Sequence, residues 1–182
     1  MNSTLDVTGI TAGTYALSAT QTLSGTGSIL NAGKTLTMPG VISPGNSAGT
    51  LNVSGGLTMA GTTTTVMEVT GPSAFDRLIV GGALTYDGTL NIVSTETSGS
   101  FDLFDFGSLA GDYDAVTVSG FGALANAGGV WSASSGGVTA TFTGATGVLS
   151  FAAVAVPEPG TWALFACGLL GLAIHRVRRK AI

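Results

Sequence analysis

The chain has 182 residues, a length that suits a single domain. Only 9% of them are charged, against about 25% in an average soluble domain, while 45% are hydrophobic and the mean hydropathy is +0.50. That composition excludes a charge-rich disordered tail. Charge is also segregated. Residues 1–156 carry Lys34 and Arg77 against nine acids (Asp6, Glu68, Asp76, Asp87, Glu96, Asp102, Asp105, Asp112 and Asp114), a net charge of −7. Residues 157–182 carry Arg176, Arg178, Arg179 and Lys180 against Glu158, a net charge of +3. An acidic body repels phosphate backbones and excludes nucleic acid as a partner.

The opening Met1-Asn2-Ser3-Thr4-Leu5-Asp6 has no basic start and no apolar core, so it is not a signal peptide. Repeat-like texture is already under way there, and the expectation is that the natural start lies upstream. Short β-favouring runs then recur between Gly, Asn, Pro and Ser. In order they are 15–17, 28–30, 35–38, 50–53, 57–59, 63–69, 77–80, 83–86, 89–93, 101–106, 115–118, 138–142 and 148–151. Most alternate apolar residues with Thr, Ser or Asn, the period of a strand with one buried face. Ala123–Ala127 favours helix but is too short, between Gly122 and Gly128. The unit Gly-x-Leu-Thr/Asn-apolar recurs at Gly49, Gly82 and Gly88, with one extra residue as Gly33-Lys34-Thr35-Leu36-Thr37-Met38, and in shorter form as Gly56-Leu57-Thr58-Met59. Its spacing is irregular. Short strands with Gly corners and few charges predict an all-β fold, a parallel β-helix or β-roll-like solenoid, with a β-sandwich as the alternative. Residues 101–153 shift towards aromatics and are expected to form a terminal layer closing the stack, or else a small sandwich of their own.

Residues 40–93 resemble the β-strand repeats of autotransporter passenger regions. The most specific stretch is Ser43-Pro44-Gly45-Asn46-Ser47-Ala48-Gly49-Thr50-Leu51, followed by Asp76-Arg77-Leu78-Ile79-Val80 and Gly82-Ala83-Leu84. The resemblance implies a β-helical fold and export.

The tail, 154–182, reads as a second unit after a body at 1–153. Pro157-Glu158-Pro159 cannot pair in a central strand and should stay extended. An uninterrupted apolar run follows, with Trp162, Leu164, Phe165, Leu169, Leu170, Leu172 and Ile174. As a helix it would span about 20 Å, short of the roughly 30 Å hydrocarbon core. Arg176, Arg178, Arg179 and Lys180 supply a cytoplasmic stop. Cys167, the only cysteine, lies in the run with Ala163 and Gly171 at four-residue spacing, which suits close helix packing or plain small-residue abundance. This order at the extreme C-terminus resembles the PEP-CTERM sorting signal of Gram-negative bacteria. The resemblance implies export, transient anchoring in the inner membrane by one transmembrane helix, and recognition of Pro157, Glu158 and Pro159 by an exosortase. It also implies association with exopolysaccharide and biofilm matrix.

No catalytic centre, cofactor site or metal site is expected. The only histidine, His175, lies beyond the apolar run, so no nucleophile–His–acid triad can form in the body. Asp102/Asp105 and Asp112/Asp114 are the acid pairs a glycosidase could use, and they could hold calcium, but each reads as a solvated acidic loop. Gly25-Thr26-Gly27 opens no complete dinucleotide fingerprint. The sequence therefore predicts an exported, non-enzymatic structural or adhesive protein of the surface or matrix. The alternatives are a carbohydrate-active enzyme on a β-helix and a fragment of an autotransporter-like adhesin.

Overall fold

The computed structural model describes residues 3–45 and 47–154, together with Phe165. The body is a β-solenoid of about five coils. Coil one holds β1 (Ser3–Asp6), β2 (Thr14–Ala16) and β3 (Thr22–Gly25). Coil two holds β4 (Gly27–Leu30), β5 (Thr35–Met38) and β6 (Val41–Pro44). Coil three holds β7 (Thr50–Val53), β8 (Gly56–Met59) and β9 (Thr64–Gly71), with the short β10 (Ala74–Phe75) folding back on β9. Coil four is the long β11 (Arg77–Tyr86) and β12 (Thr89–Ser94), after which β13 (Gly99–Asp102) leaves the stack. Coil five is β14 (Phe104–Gly111) and β15 (Ala115–Val118), with β16 (Gly122–Ala123) beside it.

Stacking is parallel and makes three faces. The first runs through β1, β4, β7 and the first halves of β11 and β14, the second through β2, β5, β8 and their second halves. The third runs through β3, β6, β9, β12 and β15. The alternation seen in the sequence sets which side chains point in. Leu36, Leu57 and Leu84 align in register as one buried column, Leu51 and Leu78 as another, and Ile29, Val53 and Val80 as a third. Each fully buried aliphatic side chain contributes roughly 1.5–3 kcal/mol. Because only a neighbouring coil provides that burial, stability is shared between coils.

In coils four and five the corner between the first two faces opens into continuous strands. Gly81 and Gly82 cross it, and a Cβ on either would lie 2.8 Å from backbone atoms of Ser54 or Gly55 in the coil below. The coils approach so closely there that only glycine fits. One coil earlier the same corner is held by buried Asn31, which donates to the Gly56 carbonyl at 3.1 Å and accepts from the Gly55 N–H at 2.6 Å.

Five antiparallel strands close the end of the stack. β17 (Ala125–Ala127), β18 (Val130–Ser135), β19 (Val138–Thr143) and β20 (Val148–Ala153) run as a meander, and β13 joins at the far edge of β20. The inner face of this cap carries Trp131, Phe142, Leu149, Phe101 and Phe151. Phe142 meets Phe104, Tyr113 and Tyr86, whose ring centroids lie 5.9, 6.2 and 6.4 Å away. The core thus turns from aliphatic in the early coils to aromatic beneath the cap. Tyr86 stacks on Tyr113 at 4.5 Å, and its hydroxyl is buried without a hydrogen-bond partner among the described residues.

The solenoid, not the sandwich alternative, is the architecture. Residues 101–153 are neither one terminal layer nor a separate sandwich. The expected run 101–106 breaks at Leu103, because β13 belongs to the cap and β14 to coil five. Helix among the described elements is limited to the 3-10 turn Gly144–Thr146. No described helix is long and apolar enough to cross a membrane.

Candidate functional site

The outward side chains form columns as ordered as the inward ones. On the second face Thr37, Thr58 and Thr85 stand in register across three coils, with Thr14 and Thr35 in the adjacent column. On the third face Thr64 aligns with Thr89, and Thr117 donates to Asn91 at 2.7 Å. Coils stack at the strand spacing of about 4.8 Å, so Thr37, Thr58 and Thr85 present three hydroxyls at that spacing, while the adjacent column passes from Thr14 and Thr35 to Gly56. The two threonine columns of the second face contain no ionisable side chain between Thr14 and Ala110.

The two acids of each candidate pair have different surroundings. Asp102 sits on β13, where Arg77 donates to its carboxylate through Nη2 at 2.6 Å and to its carbonyl through Nε at 3.2 Å. Asp105 is exposed on β14. Asp112 joins coil five to the cap. Its carboxylate accepts from Trp131 Nε1 at 3.0 Å, Asn126 Nδ2 at 2.7 Å and its neighbour Tyr113 N–H at 2.9 Å. Asp114 lies instead near Asp87 of the coil before. A Cβ on Gly61 would be 3.6 Å from Asp87 and 3.9 Å from Asp114. Among the described residues no group of three or more His, Cys, Asp or Glu side chains converges.

Sequence reasoning missed the role of Asp76. Its side chain is 1% exposed, and its two carboxylate oxygens accept from the Gly49 N–H at 2.8 Å and the Glu68 N–H at 2.9 Å. It therefore ties the end of the Ser43–Gly49 stretch, one coil below, to β9 in its own coil. Burial pushes the carboxyl up to about 6, against the opposing pull of the two N–H donors. The available signal was Asp-Arg-Leu-Ile-Val following the Ser-Pro-Gly stretch, but their contact spans 27 positions. Beside this staple a polar groove of about 410 Å³ is lined by Ser24, Ser43, Ser47 and Glu68 among others.

Pro157, Glu158, Pro159, Trp162, Leu164, Leu169, Leu170, Leu172, Ile174, Arg176, Arg178, Arg179 and Lys180 lie outside the described residues. Phe165, described alone, has helical backbone and is exposed. The last described residue of the body, Val154, donates its N–H to the Gly137 carbonyl at 2.8 Å. Immediately beyond it, residues 155–179 match the family model of the PEP-CTERM protein-sorting motif. No curated protein and no solved structure matches the chain. The motif marks an exported protein that passes through membrane-linked sorting, with an exosortase as its processing partner.

Proposed function

We propose that this chain is a non-enzymatic structural or adhesive protein of the cell surface or extracellular matrix, sorted by an exosortase and associated with exopolysaccharide. The observation that supports this reading is the second face, with threonine columns at coil spacing and no ionisable group among them. Threonine hydroxyls both donate and accept, as sugar hydroxyls do. The commitment of Asp102 to Arg77 and of Asp112 to Trp131 and Asn126 argues against a free catalytic acid pair.

Two experiments test it. Affinity electrophoresis in gels containing the host's exopolysaccharide should retard the wild-type body, and Thr37→Val with Thr58→Val and Thr85→Val should reduce the retardation severalfold without lowering the melting temperature. An unretarded wild type overturns the glycan association, and polysaccharide degradation by the purified body overturns the non-enzymatic reading. In an exosortase-bearing host with a signal peptide supplied, Glu158→Ala should leave full-length chain in the inner membrane while wild type leaves it at reduced mass. Extracellular protein still ending in Lys180-Ala181-Ile182 would count against cleavage in this motif.

A further inference from the structure

All nine acids and both cations of residues 1–156 lie in the solenoid coils, their corners and β13. From Ala115 to Val154 there is no charged residue. That stretch supplies β17–β20, which are four of the five cap strands. Alternation sends Trp131, Phe142, Leu149 and Phe151 inward, which leaves Ser, Thr, Ala and Val on the outer face. There Ser132, Thr141 and Ser150 align in one row, and Ser134, Thr139 and Ala152 in another. The one charge on this sheet, Asp102 on edge strand β13, is paired with Arg77. The outer face is therefore small, polar and neutral, in contrast to the acidic coils.

Chain length fixes what lies next to it. The cap ends at Ala153, and Val154 is still hydrogen-bonded to Gly137. Residues 155–161 are all that separate this point from the apolar run beginning at Trp162. Even fully extended they reach roughly 25 Å. While the apolar run sits in a bilayer, the cap cannot leave the neighbourhood of the headgroups.

We propose that the outer face of the cap is the membrane-facing surface of the anchored precursor, resting on the lipid headgroup layer with the solenoid axis standing away from it. This rests on the anchoring implied by the sorting reading above. Where the leaflet facing the body carries anionic lipid, a neutral sheet approaches closely and the acidic coils are repelled. Coil one then lies farthest out, about 20 Å beyond coil five at the strand spacing. The third-face groove and the threonine columns are left facing sideways, clear of the membrane.

The test uses the full chain with Cys167→Ser, reconstituted into phosphatidylethanolamine and phosphatidylglycerol vesicles carrying a headgroup quencher. Single cysteines at Ser134 on the cap, Ser108 in coil five and Thr14 in coil one each receive the same fluorophore. The expected result is a graded response, with Ser134→Cys quenched severalfold more than Thr14→Cys and Ser108→Cys between them. A long Gly/Ser insertion between Val154 and Ala155 should abolish the gradient while the chain still floats with the vesicles. A floating chain with equal quenching at the three sites, or with the order reversed, overturns the cap-down orientation and leaves anchoring intact. A chain that does not float overturns the anchoring itself, and this inference with it.

Discussion

The two ends of the solenoid solve the same problem in opposite ways. At the start, β1 is exposed along its whole length, Leu5 is 46% exposed, and Tyr15 and Leu23 are only partly buried. At the finish, coil five lies under an antiparallel sheet that buries Phe101, Phe104, Trp131 and Phe142 to 5% exposure or less. The same alternation of apolar and hydroxyl residues runs through both. A coil's apolar face is worth only what its neighbour covers, so among the described residues the same sequence texture leaves the first coil less buried than the last.

The largest effect expected of that contrast is at the cap. Phe142→Ala should cost about 3–5 kcal/mol, because the cavity opens between Tyr86, Phe104 and Tyr113, and urea unfolding monitored by Trp131 fluorescence would read it. Next, Leu57→Ala in coil three should cost about 2–5 kcal/mol, whereas Leu23→Ala in coil one should cost well under half as much. Equal losses at the two sites would break the comparison between ends. Hydrogen exchange should sharpen it, with coil-one amides exchanging fastest.

Asp76 gives a smaller effect with a defined sign. Its carboxyl is raised from 3.8 to about 6 in the folded protein, which therefore holds the proton more tightly than the unfolded chain does. Stability should fall as pH rises through the window from about 4 to about 6, by up to about 3 kcal/mol from this group. Asp76→Asn should flatten that part of the pH–stability profile. The smallest effect is at Tyr86, whose buried hydroxyl has no hydrogen-bond partner among the described residues. Tyr86→Phe should raise the melting temperature by a few degrees at most, and a fall would show that the hydroxyl is satisfied.

Much of the solenoid was legible because its strands are local. The runs 35–38, 50–53 and 115–118 agree with β5, β7 and β15 residue for residue. Errors arise where the coil, not the local pattern, decides. The separate runs 77–80 and 83–86 fuse into β11, because Gly81 and Gly82 let the backbone pass the corner unbroken. β18 went unseen because Val130-Trp131-Ser132-Ala133-Ser134-Ser135 has few β-branched residues, and its pairing with β19 supplies what propensity lacks. Ala125–Ala127, inside the stretch 123–127 read as helix-friendly but too short for a helix, is a strand for the same reason. Contacts between coils were not legible, because residues meet their partners one coil away, as Asp76 meets Gly49 and Arg77 meets Asp102.

The parallel stacking also has a mechanical meaning. Hydrogen bonds between coils point along the solenoid axis, so tension applied between the two ends loads each ladder as a zipper rather than in shear. Residues joined across a ladder are about 25 apart in sequence, and each coil that peels away would release roughly 85 Å of contour. Pulled along its axis, the body would lengthen coil by coil, and the coils beneath the aromatic cap would be the last to yield.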